Sequence, residues 1–138
     1  MDRLLQRRQL VEKSLDTFRV ALLKLSEINP EDYYYTEVRD SAIQRFEYSL
    51  DTFWRFAREY IVKKFGLEVA ASPKMVLKKM RDLEEISKEE LDIFLGMVDD
   101  RNITSHAYNV ELAEKISYNL PDYYQTIEAV YGRCTNWA

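Results

Sequence analysis

Turn-forming residues are scarce in this chain. Three glycines and three prolines make six of 138 residues, about 4%, where ordinary usage of the two is about 12%. A β-rich fold needs many more. Gly66, Gly96 and Gly132 stand far apart, and none lies in a glycine-rich loop that could cradle a phosphate. Doubly wound nucleotide-binding folds, and the ATP-consuming enzymes built on them, are excluded. The single Cys134 rules out an internal disulfide and any cysteine-rich zinc site, and it fits a reducing cytoplasm. No stretch approaches the ~20 apolar residues needed to cross a bilayer, so a soluble cytoplasmic protein with no membrane partner is expected. An excess of basic charge is missing too. With 20 basic and 24 acidic residues the net charge is −4, so a general attraction to nucleic acid or anionic lipid is not expected.

What is present is helical periodicity. Apolar residues from Leu4 through Val11, Leu15, Phe18 and Leu22 to Ile28 recur at spacings of three and four, and Asn29-Pro30 ends the run. A second and longest helix begins near Asp32 or Tyr35, carries Phe46, Phe53 and Trp54 on a wide apolar face read as core, and stops at Gly66. Ser72-Pro73 opens a short third helix with Met75, Val76, Leu77, Met80 and Leu83 facing inward. Ser87-Lys88-Glu89-Glu90 reads as the capping box of a fourth helix running toward Arg101. After Asn109 a last amphipathic stretch is expected to kink or divide at Pro121. The predicted architecture is all-α, an up-and-down bundle of four to six helices forming one domain over residues 1–138. Only the first segment, residues 1–28, has more bases than acids, six against four, and there Arg3, Arg7 and Arg8 could meet a phosphate or an acidic partner; a solvated face is the plainer reading. The run Tyr33-Tyr34-Tyr35 is read as packing or partner contact at the start of the second helix.

One segment carries chemistry. Asp99-Asp100-Arg101-Asn102-Ile103-Thr104-Ser105-His106-Ala107-Tyr108 places the only histidine five residues after an arginine and two before a tyrosine. An imidazole with a pKa near 6.5 moves protons at neutral pH, and a guanidinium holds two oxygens of a phosphate. The pair suffices for metal-free phosphodiester cleavage in RNA, where the 2′-hydroxyl is the internal nucleophile. On a straight helix Arg101 and Tyr108 lie within about 20° of each other, while His106 stands about 140° from Arg101. Either the helix ends or bends within Thr104-Ser105-His106, or the groups converge between two copies of the chain. The residues alone leave a plainer alternative open: a helix-end histidine, with Arg101 paired to Asp99 or another carboxylate. Asp99 and Asp100 diverge by about 100° on a helix and one histidine supplies at most one nitrogen, so no metal site is expected.

Arg101-x4-His106-x-Tyr108, with polar Asn102 directly after the arginine and the whole set at the end of a fourth helix, resembles the HEPN superfamily. The closer likeness is to its HepT-like and nucleotidyltransferase substrate-binding branch, whose second-helix signature resembles Ile43-Gln44-Arg45-Phe46-Glu47-Tyr48 with the following Trp54. Asp51 stands where that family often has Glu. The resemblance implies a homodimer, or a higher assembly, in which two Arg101/His106 segments form a composite, metal-independent ribonuclease site with Asn102 in support. It further implies a cognate minimal nucleotidyltransferase that spends ATP to transfer AMP to Tyr108 and silence a toxin. This chain would hold no cofactor of its own. The other reading of the same branch is a non-catalytic subunit that binds RNA, a nucleotide or another substrate for the nucleotidyltransferase. A helical dimer with only an assembly role is a third.

Overall fold

Five α-helices account for the regular structure of the described residues: α1 Arg3–Glu27, α2 Tyr35–Phe65, α3 Pro73–Asp82, α4 Lys88–His106 and α5 Val110–Thr135. The computed structural model describes residues 2–106 and 109–137, with the side chains of Ser105 and His106 outside the description. The helix boundaries follow from local chemistry. Asp2 caps α1 by accepting from the Leu4 amide at 3.0 Å. Gly66 ends α2 in the left-handed conformation, φ 68°, with its amide on the Val62 carbonyl. The capping box of α4 forms as the sequence predicts: the Ser87 amide donates to Glu90 at 2.9 Å, and the Glu90 amide donates to the Ser87 hydroxyl at 3.1 Å. Asn109 caps α5 through the Leu112 amide at 2.8 Å. At α3 Pro73 occupies the first turn, but the Ser72 hydroxyl makes no capping bond.

The four long helices alternate in direction, as their cross-contacts show. Ser14 of α1 meets Thr52 of α2 at 2.7 Å while Arg3 reaches Glu59, so α1 and α2 are antiparallel. Phe94 stacks on Phe53 at 5.2 Å and Arg101 reaches Glu47, so α4 also opposes α2. Phe46 meets Tyr123 and Phe56 meets Tyr131, so α5 runs alongside α2 in the same direction. α2 is the central strut; Phe46, Leu50, Phe53, Phe56, Ala57, Tyr60 and Ile61 are all buried in the one core that every helix shares.

Two details depart from the sequence reading. α5 is not divided at Pro121 but runs unbroken past it. Proline has no amide to offer the Ser117 carbonyl, yet the turn survives because Leu120 and Tyr123 on either side are buried against the core. Met75 is exposed rather than inward, since α3 is short and only Val76, Leu77 and Met80 reach its buried stripe. In the tyrosine run, Tyr33 is 89% exposed and packs edge-on against Tyr34, and Tyr35 anchors the start of α2 by donating to Glu114.

Candidate functional site at the end of the fourth helix

α4 carries the Arg101 segment, and its backbone stays helical through His106. The helix therefore does not end ahead of the histidine. Arg101 sits on the side of α4 that faces α2. One terminal nitrogen lies 3.4 Å from Glu47 and the other 3.4 Å from Asp51. Glu47 and Asp51 are four residues apart on α2 and so share a face. The Thr104 hydroxyl, one turn beyond Arg101, donates toward Glu47 at 2.6 Å and toward the Arg101 carbonyl at 2.9 Å. A half-buried guanidinium is thus clasped between two carboxylates, one of which also accepts from the hydroxyl of the next turn. Asp99 is not its partner; it pairs with Lys74 at 3.0 Å.

The clasp rests on aromatic packing. Phe46, adjacent to Glu47, is fully buried with its ring 5.1 Å from that of Tyr123. The Tyr123 hydroxyl donates to Asp100 at 2.6 Å. Burial, with the Asp100 carboxylate added, raises the Tyr123 pKa and keeps the phenol protonated as a donor. Phe46, Tyr123 and Asp100 therefore hold the last turns of α4 against α2 and α5 from behind, while Arg101 and Thr104 hold them in front. Asn102 is exposed on α4 and joins no part of this cluster. Tyr108 lies outside the described residues, as does the side chain of His106.

Glu47 and Asp51 are the site residues that reasoning from the motif alone missed. The sequence did hold a signal: the Phe46-Glu47-Tyr48 signature and Asp51 place two acids on one face of the core helix, where the nearest use for them is a cation on a facing helix. Among the described residues no group of three or more His, Cys, Asp or Glu side chains converges as a metal would require. No helix among them is long and apolar enough to cross a membrane. Burial pushes the Cys134 thiol up to about 12, far from nucleophilic use at neutral pH.

A family model described as nucleotidyltransferase substrate binding protein like matches residues 10–136. The chain belongs to that family. A crystal structure of a Thermus thermophilus protein is 42% identical, with a TM-score of 0.76 over 90% of this chain and 98% of that one. Two HEPN-type neighbours are more distant in sequence. The toxin–antitoxin MntA-HpeT mutant aligns at 16% identity and TM-score 0.69, over 93% of this chain and 98% of that one. The tri-AMPylated Shewanella oneidensis HEPN toxin in complex with MNT antitoxin aligns at 15% identity and TM-score 0.70, over 99% of each chain. These two show that the five-helix architecture of this family member is the HEPN fold. No curated protein matches the chain.

Proposed function

We propose that this family member is the HEPN-type partner subunit of a minimal nucleotidyltransferase, a metal-independent RNase toxin silenced by AMP transfer to Tyr108. The observation that carries the reading is the clasp of Arg101 by Glu47, Asp51 and Thr104. It holds the guanidinium at a defined place on the last turns of α4, the helix whose backbone runs on to His106. In the reaction a 2′-oxygen attacks the adjacent phosphorus, the P–O5′ bond breaks, and a cyclic phosphate and a 5′-hydroxyl result. His106 moves the proton, Arg101 bears the charge that builds on the non-bridging oxygens, and exposed Asn102 assists at the surface. Ile103 within the motif and Val110 just after it, 40% and 68% exposed, present apolar surface there. That surface supports a seam between two copies, which would bring one chain's Arg101 to the other's His106 despite their ~140° divergence on a single helix.

The toxin–antitoxin neighbours support a nucleotidyltransferase partner. AMP from ATP would join the Tyr108 oxygen with release of pyrophosphate, setting an anion where Arg101 would otherwise meet the RNA phosphate. One observation favours a second reading. In the single chain Arg101 is already matched by two carboxylates. A non-catalytic subunit that presents a nucleotide or another substrate to the nucleotidyltransferase needs no freer arginine. Co-expression with and without a cognate minimal nucleotidyltransferase, followed by intact-mass measurement, separates the two. The toxin reading expects growth arrest by the chain alone, relief by the partner, and an AMP-sized addition that Tyr108→Phe abolishes. Unimpaired growth together with no addition would overturn it in favour of the second.

A further inference from the structure

The −4 net charge poses a physical question for an RNA-handling chain. The arginine of the motif is matched by Glu47 and Asp51 and contributes little net attraction. An answer lies farther along the same face of α2. A groove of about 310 Å³ between α1, α2 and the segment leading to α3 is lined by Arg7, Trp54, Arg55, Arg58, Glu59 and Ala71. Arg3, Arg19, Arg39, Arg101 and Arg133 each pair with a carboxylate. Arg7, Arg55 and Arg58 form no salt bridge among the described residues; neither do Arg8, Arg45 and Arg81, but of these six only the first three line the groove. Glu59, the one acid lining the groove, is taken by Arg3 at 3.4 Å.

Two of the three guanidiniums are nonetheless held in place. Arg55 lies over the indole of Trp54, 4.9 Å from the ring centroid, and the indole is itself buried in the wall. Arg58 donates through Nε to the Val69 carbonyl at 2.7 Å, which leaves its two terminal nitrogens to form a fork. Arg7 approaches from α1. Glu47, Asp51, Trp54, Arg55 and Arg58 fall within about 100° of one another around α2, and Asp51 and Arg58 are about 10 Å apart along its axis. A few nucleotides of single strand span that distance.

The geometry points to this groove as a phosphate-binding track for single-stranded RNA, which supplies the affinity while the end of α4 performs the chemistry. The track rests on the proposed ribonuclease reading for its biological use, but not for its existence. Guanidinium forks suit phosphate oxygens, and side chains already held by a ring or a carbonyl lose less freedom on binding.

The test uses the full chain and a fluorescent 2′-O-methyl RNA strand, which lacks the nucleophile and cannot be cut, so binding is read independently of cleavage. The double variant R7Q/R55Q should bind about tenfold more weakly. The slope of log affinity against log salt should fall by about 1.4, at about 0.7 for each phosphate no longer neutralised. Arg45→Gln makes the same kind of charge change at an exposed position well around α2 from the groove and should leave binding unchanged. R7K/R55K should keep the slope while losing part of the affinity. Failure of the wild-type chain to bind, or R7Q/R55Q binding with unaltered affinity and slope, or an equal loss in Arg45→Gln, would each overturn the track. Loss of co-elution with the nucleotidyltransferase while RNA binding persists would overturn it in favour of a protein-docking surface. Groove-dependent binding without cleavage of ordinary RNA leaves the track standing and removes the nuclease reading. Arg101-dependent cleavage that ignores R7Q/R55Q does the reverse.

Discussion

Arg101 owes its position to residues some fifty positions earlier in the chain. A lone arginine at the end of a helix samples many rotamers, and ordering it costs up to ~2 kcal/mol of side-chain entropy. Glu47 and Asp51 meet part of that cost beforehand by fixing both arms at 3.4 Å. Such partly exposed pairs add little to folding, typically ~0.2–1 kcal/mol, so their value is positional. Glu47→Gln removes a charge that Arg101 and the Thr104 hydroxyl share. It should lower RNA cleavage by tenfold or more while shifting the melting temperature by only a few degrees. Cleavage kinetics beside a melting curve check both halves, and a variant that keeps full cleavage would show that the clasp does not position the arginine. The motif itself was legible in the sequence, because Arg101, His106 and Tyr108 lie within eight residues. The clasp was not, because its members sit 50 and 54 residues away on another helix and only the packing of α2 against α4 brings them in.

At the scale of the helix, ends were read more faithfully than interiors. Gly66 and the Ser87–Glu90 box are local signals whose chemistry is complete within four residues. Pro121 is local too, but its outcome was decided by Leu120 and Tyr123 in the core, which no local rule weighs. The glycines test the distinction. An added Cβ at Gly132 meets nothing within 4 Å, and at Gly96 it meets only the Tyr123 hydroxyl at an ordinary 3.5 Å. Gly96→Ala and Gly132→Ala should each stabilise their helices by about 0.5–1 kcal/mol, whereas Gly66→Ala, at φ 68°, should cost about 1 kcal/mol. Urea titrations of the three variants would read these as opposite shifts of midpoint.

The α4 cap adds a pH dependence. Burial works against ionisation of Glu90, but the Arg133 fork at 2.7 and 2.9 Å and the Ser87 amide outweigh it and hold the carboxyl below its usual range. A depressed folded-state pKa gives stability that is complete above the unfolded value and is lost as pH falls through the folded one. Glu90→Gln should therefore cost about 1 kcal/mol at pH 7, a cost that shrinks toward zero as the pH drops well below 4.5. A constant difference across that range would contradict the assignment.

For the whole molecule, the scarcity of turn residues meant long helices, and the long helices leave chemistry to their ends and shared faces. α2 links the features that bear on function. Its buried side forms the core, its Glu47 and Asp51 hold the arginine of α4, and its Arg55 and Arg58 face the groove completed by Arg7. The −4 charge is thus no bar to RNA, because Arg7, Arg55 and Arg58, none of them in a salt bridge among the described residues, line one groove. The measurement that tests the account most directly is cleavage of a single-stranded RNA by purified chain in excess chelator, before and after incubation with the nucleotidyltransferase and ATP. The account predicts cleavage that His106→Ala and Arg101→Ala abolish, and that disappears as Tyr108 gains AMP. Cleavage unchanged in both variants, or none by the unmodified wild-type chain, would contradict it.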